Sequence, residues 1–122
     1  TLLFTFFACF VQDGSCIIHT ARNGQYVRSL RPQTSHPNSA PSSLHITILT
    51  LSEFGDIVMF CRSNHSTRTK VKMLCKYSIN GRLLIQNDNI ACEVEDLVIS
   101  GEYVITGDSS PEGRLVVRSL QR

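Results

Sequence analysis

Two octets at opposite ends of the chain share one pattern. D-G-S-C-I-I-H-T begins at Asp13 and E-G-R-L-V-V-R-S at Glu112. Each reads acid, glycine, polar, three apolar, polar, hydroxyl. Between them V-K-M-L-C-K-Y-S-I-N-G-R-L-L, from Val71 to Leu84, repeats the apolar run and adds an Asn-Gly turn into a further run. With a turn one residue shorter in the middle copy, His19, Tyr77 and Arg118 become equivalent positions, 58 and 41 residues apart. A repeat constrains the fold strongly, because one copy cannot bury its apolar face until the next packs on it.

The local signals are those of β-structure. No window sustains apolar residues at i, i+3, i+4 and i+7 behind a cap, whereas short β-branched and aromatic runs alternate with Gly, Asn, Asp and Ser. Strands are predicted near 3–11, 15–20, 25–30, 44–52, 56–62, 71–78, 82–87, 94–100, 102–107 and 114–119. Asn23-Gly24 and Asn80-Gly81 sit between apolar runs and predict type I′ hairpin turns. Residues 32–43 carry three of the four prolines and no hydrophobe larger than alanine, which predicts a surface loop.

Strands and repeat together give one unit: strand, turn, strand, acid-Gly turn, strand, Asn-Gly turn, strand. The interval of 41 residues matches the period of about 40–45 for a four-stranded propeller blade. The longer interval contains the insertions 32–43 and 63–70. The predicted fold is therefore all-β, a partial β-propeller of about two and a half four-stranded antiparallel blades over residues 13–122. Blade boundaries fall near 31–44 and 88–93. A blade lies between two neighbours, so both its faces can be apolar. That accounts for unbroken runs such as I-V-M-F-C (57–61) and L-V-I-S (97–100).

At 122 residues, with 42% hydrophobic and 18% charged residues, the chain has a globular composition. Its net charge of +2 argues against broad nucleic-acid binding, which needs a strongly basic face. Two and a half blades leave sheet faces and edges bare, which marks the chain as a piece of a larger propeller. The start, T-L-L-F-T-F-F-A-C-F-V, is too short for a bilayer, which takes about twenty apolar residues, and it lacks a basic flank and an A-x-A-like exit. A buried strand is the plain reading of residues 1–12. A second reading makes this Phe-rich segment non-native, the translated end of a pyrimidine-rich intron, which the mature transcript would reveal. The five cysteines are odd in number and show no C-x-x-C spacing, so reduced, buried thiols are expected rather than disulfides or zinc.

One cluster has the ingredients of a nucleophilic site: Asp13, Ser15, Cys16 and His19. A working pair needs its base within hydrogen-bond reach of the nucleophile. On one strand Ser15 and His19 share a face but stand about 13 Å apart, and Cys16 points to the opposite face. The cluster reads as strand and turn residues. The four histidines (His19, His36, His45, His65) have no metal-ligand spacing. Asn64-His65-Ser66 is a formal glycosylation sequon, expected to be unused in a cytosolic protein.

Charge is segregated. Residues 57–87 hold six basic side chains and no acid, and residues 88–113 hold seven acids and no Lys or Arg. The plain reading is neighbouring blade surfaces of opposite sign. The alternative is steering of a partner or of an anionic membrane, with Arg62, Arg68, Lys70 and Lys72 as the candidate contact surface.

D-G-S-C-I-I-H-T-A-R-N-G-Q-Y-V-R-S-L-R-P (13–32), Y-S-I-N-G-R-L-L (77–84) and S-G-E-Y-V-I-T-G (100–107) resemble, in that order, segments of the C-terminal WD40 propeller of BEACH-domain proteins, specifically the neurobeachin and neurobeachin-like branch. The resemblance spans about 13–119. The Trp-Asp positions read His19-Thr20, Tyr77-Ser78 and Arg118-Ser119, and no Gly-His dipeptide opens a blade. The hydrogen-bond network of regular WD40 blades therefore does not carry over, and packing must do more. The resemblance implies a non-catalytic interaction module of a large cytoplasmic scaffold, peripheral to membranes, that acts in vesicle and membrane-protein trafficking. Its partners would be the remaining blades and the BEACH module of the parent protein, and no cofactor or nucleic acid is implied. The competing expectation is a self-contained β-rich domain with Cys/His hydrolase activity.

Overall fold

The computed structural model describes residues 6–10 (backbone only), 14–33, 44–52, 55–63, 71–88, 90, 93–108 and 113–119. Ten strands are formed there: β1 Phe6–Phe10, β2 Cys16–Thr20, β3 Tyr26–Leu30, β4 Leu44–Leu51, β5 Ile57–Ser63, β6 Lys72–Tyr77, β7 Leu83–Asn87, β8 Val94–Ser100, β9 Tyr103–Asp108 and β10 Leu115–Ser119. They build three antiparallel meanders in chain order: β1-β2-β3, β4-β5-β6-β7 and β8-β9-β10. The described residues are all-β, a partial propeller-like stack of three, four and three strands, and each predicted strand lies within a few residues of an observed one. Phe6–Phe10 pairs with β2 from Phe6 opposite Thr20 to Phe10 opposite Cys16. The predicted surface loop at 34–43 lies outside the described residues.

The unbroken apolar run in β5 is explained by the place of its sheet. Ile57, Met59 and Cys61 point one way, into a core with Cys16, Ile18 and Leu30 of the first sheet and Leu44, Ile46, Met73, Cys75 and Tyr77 of its own. Val58 and Phe60 point the other way, into a second core with Leu74 and with Ile90, Val94, Leu97 and Val104 of the third sheet and the segment leading to it. A strand's side chains alternate between faces, so only a sheet covered on both sides can bury five consecutive residues. Fully burying each large apolar side chain there stabilises the fold by about 1.5–3 kcal/mol. The sheets approach one another through β4, which neighbours both β1 and β8.

The registers bear out the repeat. In β2–β3 the pairing slips between Ile18 and His19, and in β6–β7 it slips between Lys76 and Tyr77. His19 and Tyr77 thus follow a bulge at the same place in two sheets. Arg118 pairs with Val104 as Tyr77 pairs with Ile57, both near the same turn end of the sheet. Bulges also break β4–β5 between Ile46 and Ile48 and β8–β9 between Val94 and Asp96.

The hairpins form, but not as type I′ turns. That type needs positive φ at both central residues. Among the described residues no non-glycine has positive φ, so Asn23 and Asn80 do not qualify, while Gly24 and Gly81 do. At the second hairpin the Gly81 N–H donates to Ser78 O (3.0 Å) and the Ser78 N–H to Arg82 O (2.9 Å). This is a three-residue loop ending in a left-handed glycine, the common alternative to the two-residue hairpin. At the first, Gly24 bonds back to Thr20 (2.9 Å) and Thr20 to Gln25 (2.8 Å), so the loop is one residue longer.

Candidate interaction surface

In an antiparallel meander, alternate connections emerge at the same end. The short turns 20–25, 52–56, 78–82 and 100–103 lie at one end of the strands. The longer connections, between β3 and β4, β5 and β6, β7 and β8, and β9 and β10, lie at the other. Of the predicted contact residues, Arg62 and Lys72 belong to that loop end. Arg62 and Lys72 are directly opposite one another on β5 and β6, and His45 of β4 stands on the other side of Arg62. Like charges facing across strands repel. Here Glu93, just before β8, answers the row: its Oε1 lies 3.5 Å from Arg62 Nε, with each side chain about 33% exposed. Arg68 and Lys70 lie outside the described residues.

The loop end therefore carries both signs. Arg62–Glu93 links the basic middle sheet to the acidic segment that follows it, and Asp108–Arg114 (3.6 Å) forms a second pair in the third sheet. The Asp108 side chain is nearly buried and that of Arg114 largely exposed. A third pair, Lys76–Asp56 (3.5 Å), lies near the turn end of the middle sheet. A part-exposed pair such as Arg62–Glu93 contributes only about 0–1 kcal/mol.

The candidate nucleophilic cluster is not brought together. Cys16 is fully buried in the first core and points at the middle sheet. His19 lies on the opposite face, with Nδ1 3.0 Å from Gly24 O and its ring edge-on to Tyr26 at 6.1 Å. Ser15 is buried at the start of β2, and Asp13 lies outside the described residues. Among the described residues Cys16, Cys61 and Cys75 are buried thiols outside any disulfide. The Cys75 thiol is held well above the ordinary thiol range by its hydrogen bond with Cys61 and by burial, which is the wrong direction for a nucleophile. Among the described residues no three of His, Cys, Asp and Glu are grouped as a metal site, and no helix is long and apolar enough to cross a membrane.

A role that sequence reasoning missed belongs to the hydroxyls at strand ends. Ser78 Oγ accepts from the Arg82 N–H (3.2 Å), Ser52 Oγ from the Asp56 N–H (3.0 Å), and Thr20 Oγ1 from the Gln25 N–H (3.1 Å). Each closes its turn. Ser63 Oγ accepts from the Val71 N–H (3.0 Å) and pins the base of the connection between β5 and β6. The signal was present as a hydroxyl three or four residues before a glycine. Thr20 and Ser78, at the aspartate of the Trp-Asp position, are thus turn clasps.

The residues at the tryptophan place differ from sheet to sheet. Tyr77 packs in the first core, and burial, aided by Cys75 and Cys61, raises its phenol well above the ordinary range. Arg118 instead donates from a guanidinium nitrogen to Thr106 Oγ1 (2.6 Å). A cavity of about 190 Å³ remains beside it, lined by Leu74, Ile85, Asn87, Val104 and Ser119 among others.

No protein-family model matches the chain. The sequence is 31% identical over 110 residues to BEACH domain-containing protein B of Arabidopsis thaliana. The match covers 89% of this chain and only 4% of that protein. The similarity runs through nearly the whole stack of sheets and supports a relation to BEACH-domain proteins.

Proposed function

We propose that the chain is a non-catalytic interaction module, a part of the WD40-like propeller of a BEACH-type scaffold protein that serves vesicle and membrane-protein trafficking at the cytoplasmic side of membranes. The observation that carries this reading is the middle sheet, β4 to β7, whose two faces are both buried against neighbouring sheets. Side-by-side stacking of meanders is how propeller blades pack. The similarity to a BEACH domain-containing protein agrees with it, and the three ordered motifs resemble the neurobeachin-like branch most. The proposed contact surface is the loop end around Arg62 and Lys72, with Arg68 and Lys70 assigned to it by their place in the sequence. Its partners are protein segments or an anionic membrane, approached alongside the rest of the parent chain. The competing Cys/His hydrolase draws no support from the positions of Cys16 and His19.

The test is expression of the 122 residues alone and within a longer stretch of the parent protein that carries the flanking sequence. Size exclusion with circular dichroism is expected to show β-rich but self-associated material for the short chain and a monodisperse species for the long one. A compact, monodisperse monomer from the 122 residues alone overturns the propeller-part reading.

A further inference from the structure

His45, Arg62 and Lys72 form a row across three adjacent strands. His45 of β4 lies opposite Arg62 of β5, and Arg62 lies opposite Lys72 of β6. Neighbouring strands stand about 4.8 Å apart, so the row spans roughly 10 Å of backbone. All three residues fall on one face. Arg62 shares the face of Val58 and Phe60, and Lys72 that of Leu74, while the neighbours of His45, Leu44 and Ile46, point into the other core. The row therefore faces the seam between the middle and third sheets, at its loop end. There the Ile90 N–H donates to Lys72 O (3.4 Å), and Glu93 stands just before Val94.

Basic side chains facing one another across strands repel, and the seam answers them loosely. Glu93 Oε1 lies 3.5 Å from Arg62 Nε, well beyond the length of about 2.7–2.9 Å for a charge-assisted hydrogen bond. Asp108, opposite Val94 on the same face of the third sheet, is drawn instead to Arg114 at 3.6 Å. Glu93 thus brings a single negative charge to two permanent cations and an imidazole.

We infer that this row is a seat for a phosphate monoester on a protein segment, and that Glu93 is its built-in placeholder. The inference deepens the contact surface proposed above and rests on it. Because Glu93 is tethered in the same chain, its carboxylate acts at an effective concentration on the order of millimolar or higher. A carboxylate from a partner carries the same charge and gains little by exchange. A phosphoryl group carries about −1.5 to −2 charge at pH 7 and three strong acceptor oxygens. It bonds to Arg62 and Lys72 together, and the guanidinium fork matches its geometry. The recess favours a flexible segment over a bilayer. The Arg62 and Glu93 side chains are each about one third exposed. A headgroup plane meets protruding side chains, whereas a phosphate on a side chain reaches into a seam.

The probes are three fluorescein-labelled peptides, Ala-Gly-Ala-X-Ala-Gly-Ala, with phosphoserine, aspartate or serine at X. Fluorescence anisotropy is read against the 122-residue chain. The exposed apolar residues Val98 and Val117 lie on the far side of the third sheet from this seam, so self-association there leaves the row open. The phosphoserine peptide is expected to bind at least roughly tenfold more tightly than the aspartate peptide. Glu93→Gln is expected to tighten it about two- to fivefold, the worth of a part-exposed ion pair, with circular dichroism unchanged. Lys72→Gln is expected to weaken it about fivefold or more. Equal binding of the phosphoserine and aspartate peptides, or unchanged or weaker binding by Glu93→Gln, overturns the seat. So does Lys72→Gln without effect. Phosphatidylcholine vesicles with about 30% phosphatidylserine form the second arm. Vesicle binding that rises in Glu93→Gln, without peptide binding, overturns the phosphorylated segment as occupant and leaves the contact surface standing. The scaffold reading is judged by the hydrodynamics of the short and long chains, so either inference can fail while the other stands.

Discussion

At the scale of single residues, backbone sign and burial decide more than chemistry does. Gly14 has φ of +88°, and a Cβ there would lie 2.5 Å from Leu44 O, across the gap to the middle sheet. Gly24 also has positive φ, but a Cβ there would meet nothing within 4 Å. Gly14→Ala is expected to destabilise the fold by about 3 kcal/mol, from strain plus displacement of a sheet, and Gly24→Ala by about 1 kcal/mol from strain alone. Urea denaturation of the two variants checks the difference. Tyr77 gives a pH prediction. The folded state holds its phenolic proton more tightly than the unfolded chain, where tyrosine titrates near 10. Its contribution is complete below about pH 10 and is lost as pH rises past that value. Cys75 acts in the same direction, from the ordinary thiol range near 8.5 upward. Thermal melts are expected to fall steadily above about pH 8.5, and Tyr77→Phe to flatten the part of that fall beyond about pH 10.

At the scale of elements, the strands were legible and the turns were only half so. Alternation and apolar runs located β2 to β10 because each carries enough β-branched or aromatic side chain to fill a pleated face. Asn-Gly marked both hairpins, yet the prediction of turn type failed. A glycine with positive φ after an asparagine with negative φ satisfies the chain when a strand-end hydroxyl can clasp the turn, and Thr20 and Ser78 do so. The nucleophilic look of residues 13–19 dissolved for a similar reason. Period-two alternation sends Cys16 into one core and His19, an odd three residues further on, to the opposite face. The contact residues were only partly legible. Arg62 and Lys72 do adjoin, but the acid that tempers them, Glu93, comes from the next sheet and no spacing rule points to it.

At the scale of the whole molecule, the order of sheets leaves an exposed apolar surface. On the far side of the third sheet Val98 lies opposite Ile105, and Ile105 opposite Val117. Val98, Tyr103, Leu115 and Val117 are all more than half exposed. The matching face of the middle sheet, with Val58 and Phe60, is covered by a neighbour. Contiguous apolar patches of this kind drive association. Val98→Glu with Val117→Glu is expected to shift the isolated chain to smaller species in size exclusion while circular dichroism keeps its β signature. Unchanged self-association would place the adhesive surface elsewhere.

The amino-acid sequence by itself determined the strands, their order and the repeat, because these depend on local alternation and on short-range turn residues. It also determined that one sheet must be buried on both faces, since five consecutive apolar residues in a strand have no other home. Only the tertiary structure decided which charges meet, which hydroxyls close turns, and how differently Tyr77 and Arg118 use the same place. Those outcomes depend on side chains brought together from different sheets, and no regularity along the chain encodes the distance between them.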